Sequence, residues 1–342
     1  MTTDPEALKP ILARVAEGHP LIEDEAEQAF TTMMTGAATN AQMGGLLMGM
    51  RVRGETIAEI TGAARAMRAQ MTTIDAPEGA IDTCGTGGDG AGTYNVSTAA
   101  AVVAAAAGVP VAKHGNRAQS SSTGAADVLE ALGVTVDAGP ARMEQALREI
   151  GTCFLLAPAH HGAMRHVAPV RKELGTRTIF NLLGPLSNPA KVRRQVLGVF
   201  SRDWVEPLAH VLRRLGHQRA WVVHGLDGLD ELSTTGPSLV AELKDGEVHT
   251  FEVTPEDAGL RRESLDRLRG GDAETNARAI RAMLAGEDGP LRDIVLMAAG
   301  AGLVVADRAA DLREGVAIAA DAVDSGRAAK LLDDFAAFTE RG

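Results

Sequence analysis

The chain changes character after residue 71, and that change limits what it can fold into. Up to that point apolar residues recur only at helical spacing: Leu8, Ile11, Leu12 and Val15 in a first segment, Leu46, Leu47 and Met50 in a third. Thr56 to Glu59 reads as a capping box opening a fourth helix just after Gly54. From Ala80 onward, short apolar runs alternate with helical stretches. Ala80 to Cys84, Gly108 to Lys113, Phe154 to Ala157, Val196 to Phe200 and Ala220 to Val223 read as strands; Thr98 to Ala107 and Gly124 to Leu132 read as helices. Such alternation predicts an α/β domain with a mostly parallel central sheet. Leu239 to Leu243 and Glu247 to Val253 flank Lys244-Asp245-Gly246 and predict a hairpin on one side of that sheet. From Ala273 to the end the pattern is mostly helical.

The expected architecture is therefore a small all-helical N-terminal domain over residues 1–72 and a larger α/β domain over 77–166 and 191–342. A length of 342 residues suits one large core plus a smaller one. Between Val167 and Ala190 the run VAPVRKELGTRTIFNLLGPLSNPA is polar, basic and punctuated by Gly and Pro. It reads as a crossing back to the helical domain, with a cleft between the two, and such clefts commonly hold ligands.

The formal net charge of −11 argues against nucleic acid as a partner, since no basic stretch with interleaved aromatics offsets it. An anionic small substrate is still admissible, provided the site supplies its own positive potential. Two isolated cysteines, Cys84 and Cys153, suit a reducing compartment. The start MTTDPEALKP lacks the pattern of a signal peptide, and the most apolar stretch, Ala99 to Val111, is too short to span a bilayer. A cytoplasmic protein away from membranes is expected.

Three loops carry chemistry. DTCGTGGDGAGTYNVST, Asp82 to Thr98, follows a predicted strand; its glycines let backbone amides approach an anion, and Asn95, Ser97 and Thr98 open a helix whose free amides favour phosphate. It is neither a Walker loop nor a GxGxxG fingerprint. VAKHGNRAQSSSTG, Val111 to Gly124, sets Lys113, His114, Asn116 and Arg117 beside three serines, which suits a phosphate or pyrophosphate. GLDGLDELS, Gly225 to Ser233, carries Asp230-Glu231, a pair able to hold Mg²⁺ through oxygen ligands and water. Taken singly, each also reads as an ordinary turn: a capped strand–loop–helix, a solvated basic loop, an exposed acidic turn. Their succession at strand ends favours the phosphate reading. His160-His161 reads as a polar pocket wall rather than a metal site.

Taken together, these residues resemble a known family. GTGGD at Gly85 to Asp89, NVST at Asn95 to Thr98, KHGNR at Lys113 to Arg117, VRKELGTRTIFNLLGPLSNP at Val170 to Pro189 and the Asp230-Glu231 pair resemble the motifs of anthranilate phosphoribosyltransferases, in the same order across nearly the whole chain. The resemblance implies a nucleoside phosphorylase-like phosphoribosyltransferase fold, with mid-chain helices from about 167–190 joining the helical domain, and a homodimer formed through that domain. It implies transfer of the phosphoribosyl group of phosphoribosyl pyrophosphate to the amine of anthranilate in tryptophan biosynthesis, with Mg²⁺, two ions per subunit, as cofactor.

By the same resemblance, Gly85, Gly88, Asp89 and Thr93 line the phosphoribosyl pyrophosphate site, and Asn95, Val96, Ser97 and Thr98 bind its phosphates. Lys113, His114, Gly115, Asn116, Arg117, Ala118, Gln119, Ser120 and Ser121, with Ala125, cover the sugar-phosphate side. Ser97, Asp230 and Glu231 are the implied magnesium ligands; Gly85, Asn116, His161, Arg171, Gly184 and Pro185 are the implied anthranilate contacts. His114 is the nearest candidate to accept the amine proton, or else to orient the ring. Ser122, Ala125 and Gly162 depart from residues frequent in the family, Lys, Ser and Pro respectively. Two other readings stay open: a pyrimidine nucleoside phosphorylase-like enzyme, told apart by its independence of Mg²⁺, and a non-enzymatic nucleic-acid-binding relative.

Overall fold

A capping box and a buried ion pair set the geometry of the N-terminal helices. In the computed structural model, which describes residues 6, 8–118 and 123–340, these are α1 (Leu8–Ala16), α2 (Glu23–Met34), α3 (Asn40–Arg53) and α4 (Ile57–Ala69). Thr56 caps α4 through Glu59, as its sequence predicts, with the Glu59 amide 3.3 Å from the Thr56 hydroxyl. Glu59 does more than cap. It is fully buried, accepts from the Leu21 amide at 2.9 Å and pairs with Arg53 at the end of α3. Arg53 in turn donates to the His19 carbonyl at 2.6 Å, so one carboxylate joins the α1–α2 loop, α3 and α4. Gly62 lets α2 and α4 touch: a Cβ there would lie 2.2 Å from the Glu23 carbonyl oxygen.

The chain then alternates: β1 (Ile81–Gly85), α5 (Val96–Ala106), β2 (Val111–Gly115), α6 (Ala125–Ala131), α7 (Pro140–Glu149), β3 (Thr152–Leu156), α8 (Ala157–His160), α9 (Ala168–Leu174), α10 (Phe180–Leu183), β4 (Arg194–Gly198), α11 (Val205–Arg214) and β5 (Arg219–Gly225). The hairpin β6 (Ser238–Lys244) and β7 (Glu247–Val253) follows, then α12 (Ala273–Leu284), α13 (Pro290–Val305), α14 (Leu312–Asp324) and α15 (Arg327–Glu340). The sheet order is β3-β2-β1-β4-β5-β6-β7, with β1 to β5 parallel and β6 and β7 antiparallel at one edge. Asp245 and Gly246 both have positive φ, the requirement of the tight turn that Asp-Gly predicts.

Strand boundaries differ from the sequence reading by a few residues. β2 begins at Val111 rather than Gly108, because Gly108, at φ +89°, closes α5 by donating to the Ala105 carbonyl. Helices α7 and α11 were not read from the sequence; α7 has a clear start signal in Gly139-Pro140, with proline in its first turn.

The two sheet faces belong to different cores, as a period of two requires. Val196, Trp221, Val223 and Val240 pack with α5 and α13 on one face. There Ala-rich α5 and Gly302 of α13 allow close approach to β1. Leu197, Ala220, Val222 and Ala241 face the other way and join α11 to the core of α1–α4. Val167, Val170, Phe180 and Leu183 belong to that second core as well, with the rings of Phe180 and Phe30 5.4 Å apart. Thus one face of the sheet, the mid-chain helices and the N-terminal helices share a single apolar interior.

Removing Glu59 leaves the buried Leu21 amide, and the partly buried Arg53 guanidinium and Thr56 amide and hydroxyl, without their acceptor. Glu59→Ala is expected to lower unfolding free energy by about 3–5 kcal/mol, measured by urea unfolding; a loss under about 1 kcal/mol would mean the pair acts as a surface bridge.

Candidate active site

Strand order reverses direction of growth between β1 and β4, and in open parallel sheets ligands bind beyond the strand ends at that point. Both strands end there in glycine, Gly85 paired with Gly198. Asp230 rests on both. A Cβ at Gly85 would lie 2.7 Å from its carboxylate, and one at Gly198 would lie 1.7 Å from its carbonyl oxygen. The Gly87 amide donates to Asp230 Oδ2 at 2.7 Å, and the Ser97 amide at the start of α5 donates to Glu231 Oε1 at 3.1 Å. The acidic pair therefore ties its own loop to both ends of the Asp82–Thr98 loop by accepting from amides that the sequence reading gives to phosphate.

Burial, and after it the charge of Asp89, raises the Asp230 carboxyl above the usual range; burial and then Asp230 raise that of Glu231. Lys113 opposes this from below. Its ammonium, 4% exposed, donates to the Thr83 carbonyl at 2.5 Å and to the Ser97 hydroxyl at 3.2 Å. Among the described residues no three His, Cys, Asp or Glu side chains form a metal site. Two adjacent carboxylates that repel each other, beside a hydroxyl, fit a cation such as Mg²⁺, which keeps waters and completes its shell with substrate oxygens.

The glycine loop is held in place from outside. Gly87 and Gly88 have positive φ, and Arg177, stacked 4.2 Å over the ring of Phe200, donates to the Gly88 carbonyl. The Thr86 hydroxyl accepts from the Phe200 amide at 3.0 Å. Thr93 bridges to Arg269, and the Asn95 side-chain oxygen accepts from Asn276 at 3.0 Å. Asn95 makes no side-chain cap to α5, although it stands at the cap position before Val96. The Thr98 amide turns to the Asn95 carbonyl at 3.2 Å.

On the second loop, His114 and Lys113 lie on β2 and are buried, while Gly115 ends the strand. The Asn116 side chain accepts from the Arg117 amide at 2.8 Å. Arg117 turns away to Glu130, making two 2.6 Å contacts. The Ala118 amide donates to Asp127 at 3.0 Å, and Ala125 starts α6 behind Gly115. Gln119, Ser120 and Ser121, with Ser122, lie outside the described residues.

A third group gathers around His114. Its Nδ1 is 3.1 Å from the Gly184 carbonyl and its Nε2 is 3.2 Å from His161 Nε2. Burial holds both rings neutral, His114 well below the usual histidine range and His161 down to about 4. The carbonyl accepts from His114 Nδ1–H, so His114 Nε2 is the bare acceptor of the His161 N–H. No lone pair of His114 is left to take a proton. Pro185 follows, its carbonyl accepting from Gln195 at 2.8 Å. Gly184 closes α10, and a Cβ there would meet open space. Arg171 of α9 stacks 5.5 Å over Phe180 at the other end of α10 and pairs with no carboxylate among the described residues. His160 pins Thr72, through a 2.7 Å contact from Nδ1 to the Thr72 carbonyl.

Residues 77–329 match the α/β domain of the glycosyl transferase family, and residues 9–71 its helical bundle domain. The anthranilate phosphoribosyltransferase of Azorhizobium caulinodans is 58% identical over 98% of this chain and 97% of its own length. The chain belongs to the anthranilate phosphoribosyltransferase family. A crystal structure of the Thermus thermophilus family member superposes with a TM-score of 0.92, at 48% identity, covering 96% of this chain and 99% of that one. The Saccharomyces cerevisiae member, solved in complex with PRPP (phosphoribosyl pyrophosphate) and Mg, gives a TM-score of 0.90 at 27% identity over 99% of both chains; it has also been solved with 4-fluoroanthranilate. In this family member, sequence reasoning passed over Arg177, Gly198, Asp82 and Asn276. Arg177 lies inside the VRKELGTRTIF motif, and Gly198 ends a predicted strand, so both had a signal. Asp82, which accepts from the His114 amide at 3.1 Å, had none beyond its place before the glycine loop.

Two outcomes follow from this geometry. Gly198→Ala must displace the Asp230 backbone, and a shift of about 1 Å in such a site costs about 10²-fold in kcat/KM; steady-state kinetics with an unchanged melting curve would check it. The unfolded chain protonates His161 near pH 6.5 while the folded ring resists to about 4, so its stabilising contribution is present above 6.5 and lost as pH falls to 4. His161→Asn should therefore make the fall in stability across that window shallower, by up to about 1.4 kcal/mol per pH unit, read from urea unfolding at several pH values.

Proposed function

We propose that the protein transfers the phosphoribosyl group of phosphoribosyl pyrophosphate to the amine of anthranilate, releasing pyrophosphate, as its relatives' names say of them. The observation that carries this reading is the Asp230-Glu231 pair seated between the GTGGD loop and the start of α5, together with Arg171, which has no carboxylate partner among the described residues, and the open face of Gly184.

In this reading Asp230, Glu231 and the Ser97 hydroxyl would hold Mg²⁺, two ions per subunit; the use of the metal, though not the count, is supported by the yeast relative's complex with PRPP and Mg. The bound metal supplies positive charge against the leaving pyrophosphate. With their carboxylate partners turned to the metal, the Gly87 and Ser97 amides become donors for phosphate oxygens. Lys113 stays below, keeping Ser97 oriented and balancing the acidic pair. Gly85, Gly88, Asp89, Thr93 and the segments Asn95 to Thr98 and Lys113 to Ala118, with Ala125, form the donor wall.

Anthranilate lies between Arg171 and Asn116, over Gly184 and Pro185, with its carboxylate on the Arg171 guanidinium. An aromatic amine is already neutral near pH 7, so attack at the anomeric carbon needs no strong base. His114 holds the Gly184 carbonyl, and through it the ring's platform; it is a positioning residue. The two free, buried cysteines support a reducing cytoplasmic setting, and Val52 and Ile22, 83% and 57% exposed on the helical block, support a homodimer through that block.

The test is loss of anthranilate fluorescence with phosphoribosyl pyrophosphate and Mg²⁺. Wild type should consume anthranilate only with the metal. Arg171→Ala should raise the anthranilate KM by about 10–100-fold, the worth of a charged hydrogen bond, with the donor KM unchanged. Folded wild type that leaves anthranilate untouched but cleaves nucleosides with phosphate would overturn the reading.

A further inference from the structure

Behind the sheet, at the starting ends of β4 and β5, a second cavity opens. It measures about 380 Å³ and is lined by Arg68, Met71, Lys191, Val192, Arg193, Leu215 and Gly216. Three of these are cations, three are apolar and none is acidic. The site lies a full strand length, about 16 Å, from the strand ends that carry the catalytic residues. It sits where the end of α4, the approach to β4 and the turn into β5 meet.

No carboxylate among the described residues pairs with any of the three cations. Arg68 donates only to carbonyls, of Leu186 at 2.7 Å and Leu215 at 3.3 Å, and burial pulls its guanidinium down to about 10. Arg193 donates to the Gly216 carbonyl at 3.0 Å. Lys191 holds a left-handed backbone, φ +51°, which is uncommon for lysine. Burial first, then Arg68 and Arg193, push the ring of His217, in the neighbouring cavity, down to about 3. That neighbouring cavity, of about 420 Å³, makes the contrast. Its Arg194 pairs with Asp307, and its Arg219 with both Asp307 and Glu242. In a chain of net charge −11, an acid-free cluster of three cations calls for an anion from outside.

We propose that this cavity binds a small organic anion, an apolar body bearing a phosphate or carboxylate, with Lys191, Arg193 and Arg68 on the charged end and Met71, Val192 and Leu215 on the apolar one. Because the lining comes from three separate segments, occupancy ties the end of the helical bundle to the back of the sheet.

Phenyl phosphate is the probe, and the ¹³C-labelled ε-methyl of Met71, assigned through Met71→Leu, is the local reporter. The methyl resonance should shift saturably at submillimolar probe. Affinity should fall at least tenfold in Lys191→Asn/Arg193→Gln, since asparagine tolerates the left-handed backbone; a circular dichroism melt confirms that the variant folds. Benzyl alcohol should bind at least tenfold more weakly than the probe, and so should inorganic phosphate. An unmoved Met71 methyl, equal affinity in the double variant, or a match by benzyl alcohol would each overturn the proposal. Equal binding of inorganic phosphate would mark an adventitious ion only and would overturn it too.

Discussion

Asp230 seated on two glycines is the contact on which the site depends. The strands β1 and β4 lie side by side with Gly85 opposite Gly198, and no other residue type lets a backbone settle so closely over both ends. From that seat the carboxylate reaches the Gly87 amide, and its neighbour Glu231 reaches Ser97. Two loops from different strand ends are thereby brought to one point. Burial and mutual repulsion leave both carboxylates short of positive charge, with Lys113 as the buried cation beneath them.

The group around His114 is built on different physics. A line of neutral hydrogen bonds runs from His161 to His114 to the Gly184 carbonyl, fixing the end of α10. Phe180 at the other end of α10 anchors it in the helical core against Phe30 and carries Arg171 on its ring. The helix is only one turn long, so both ends must be held by neighbours. The acidic pair is thus held by charge and the His114 group by packing, and the sheet face and the helical bundle share one core.

The sequence by itself determined the fold class, the capped helices of the N-terminal block, the alternation that makes the sheet, the Asp-Gly hairpin turn, and the glycine-rich and acidic loops that meet at the strand ends. These are local signals: period, caps, turn residues and glycine all act within a few positions. What only the tertiary structure decided is how distant groups pair. Glu59 reads as a cap but also clamps Arg53 and Leu21; the pairing of Arg117 with Glu130, and the engagement of both His114 nitrogens by Gly184 and His161, have no counterpart in the sequence pattern. Three cations that meet behind the sheet, with no carboxylate partner among the described residues, leave no mark at any single position. The reason is that burial and partner choice are properties of a packed interior, set by segments far apart in the chain, whereas a sequence pattern reports only the conformation of its own few residues.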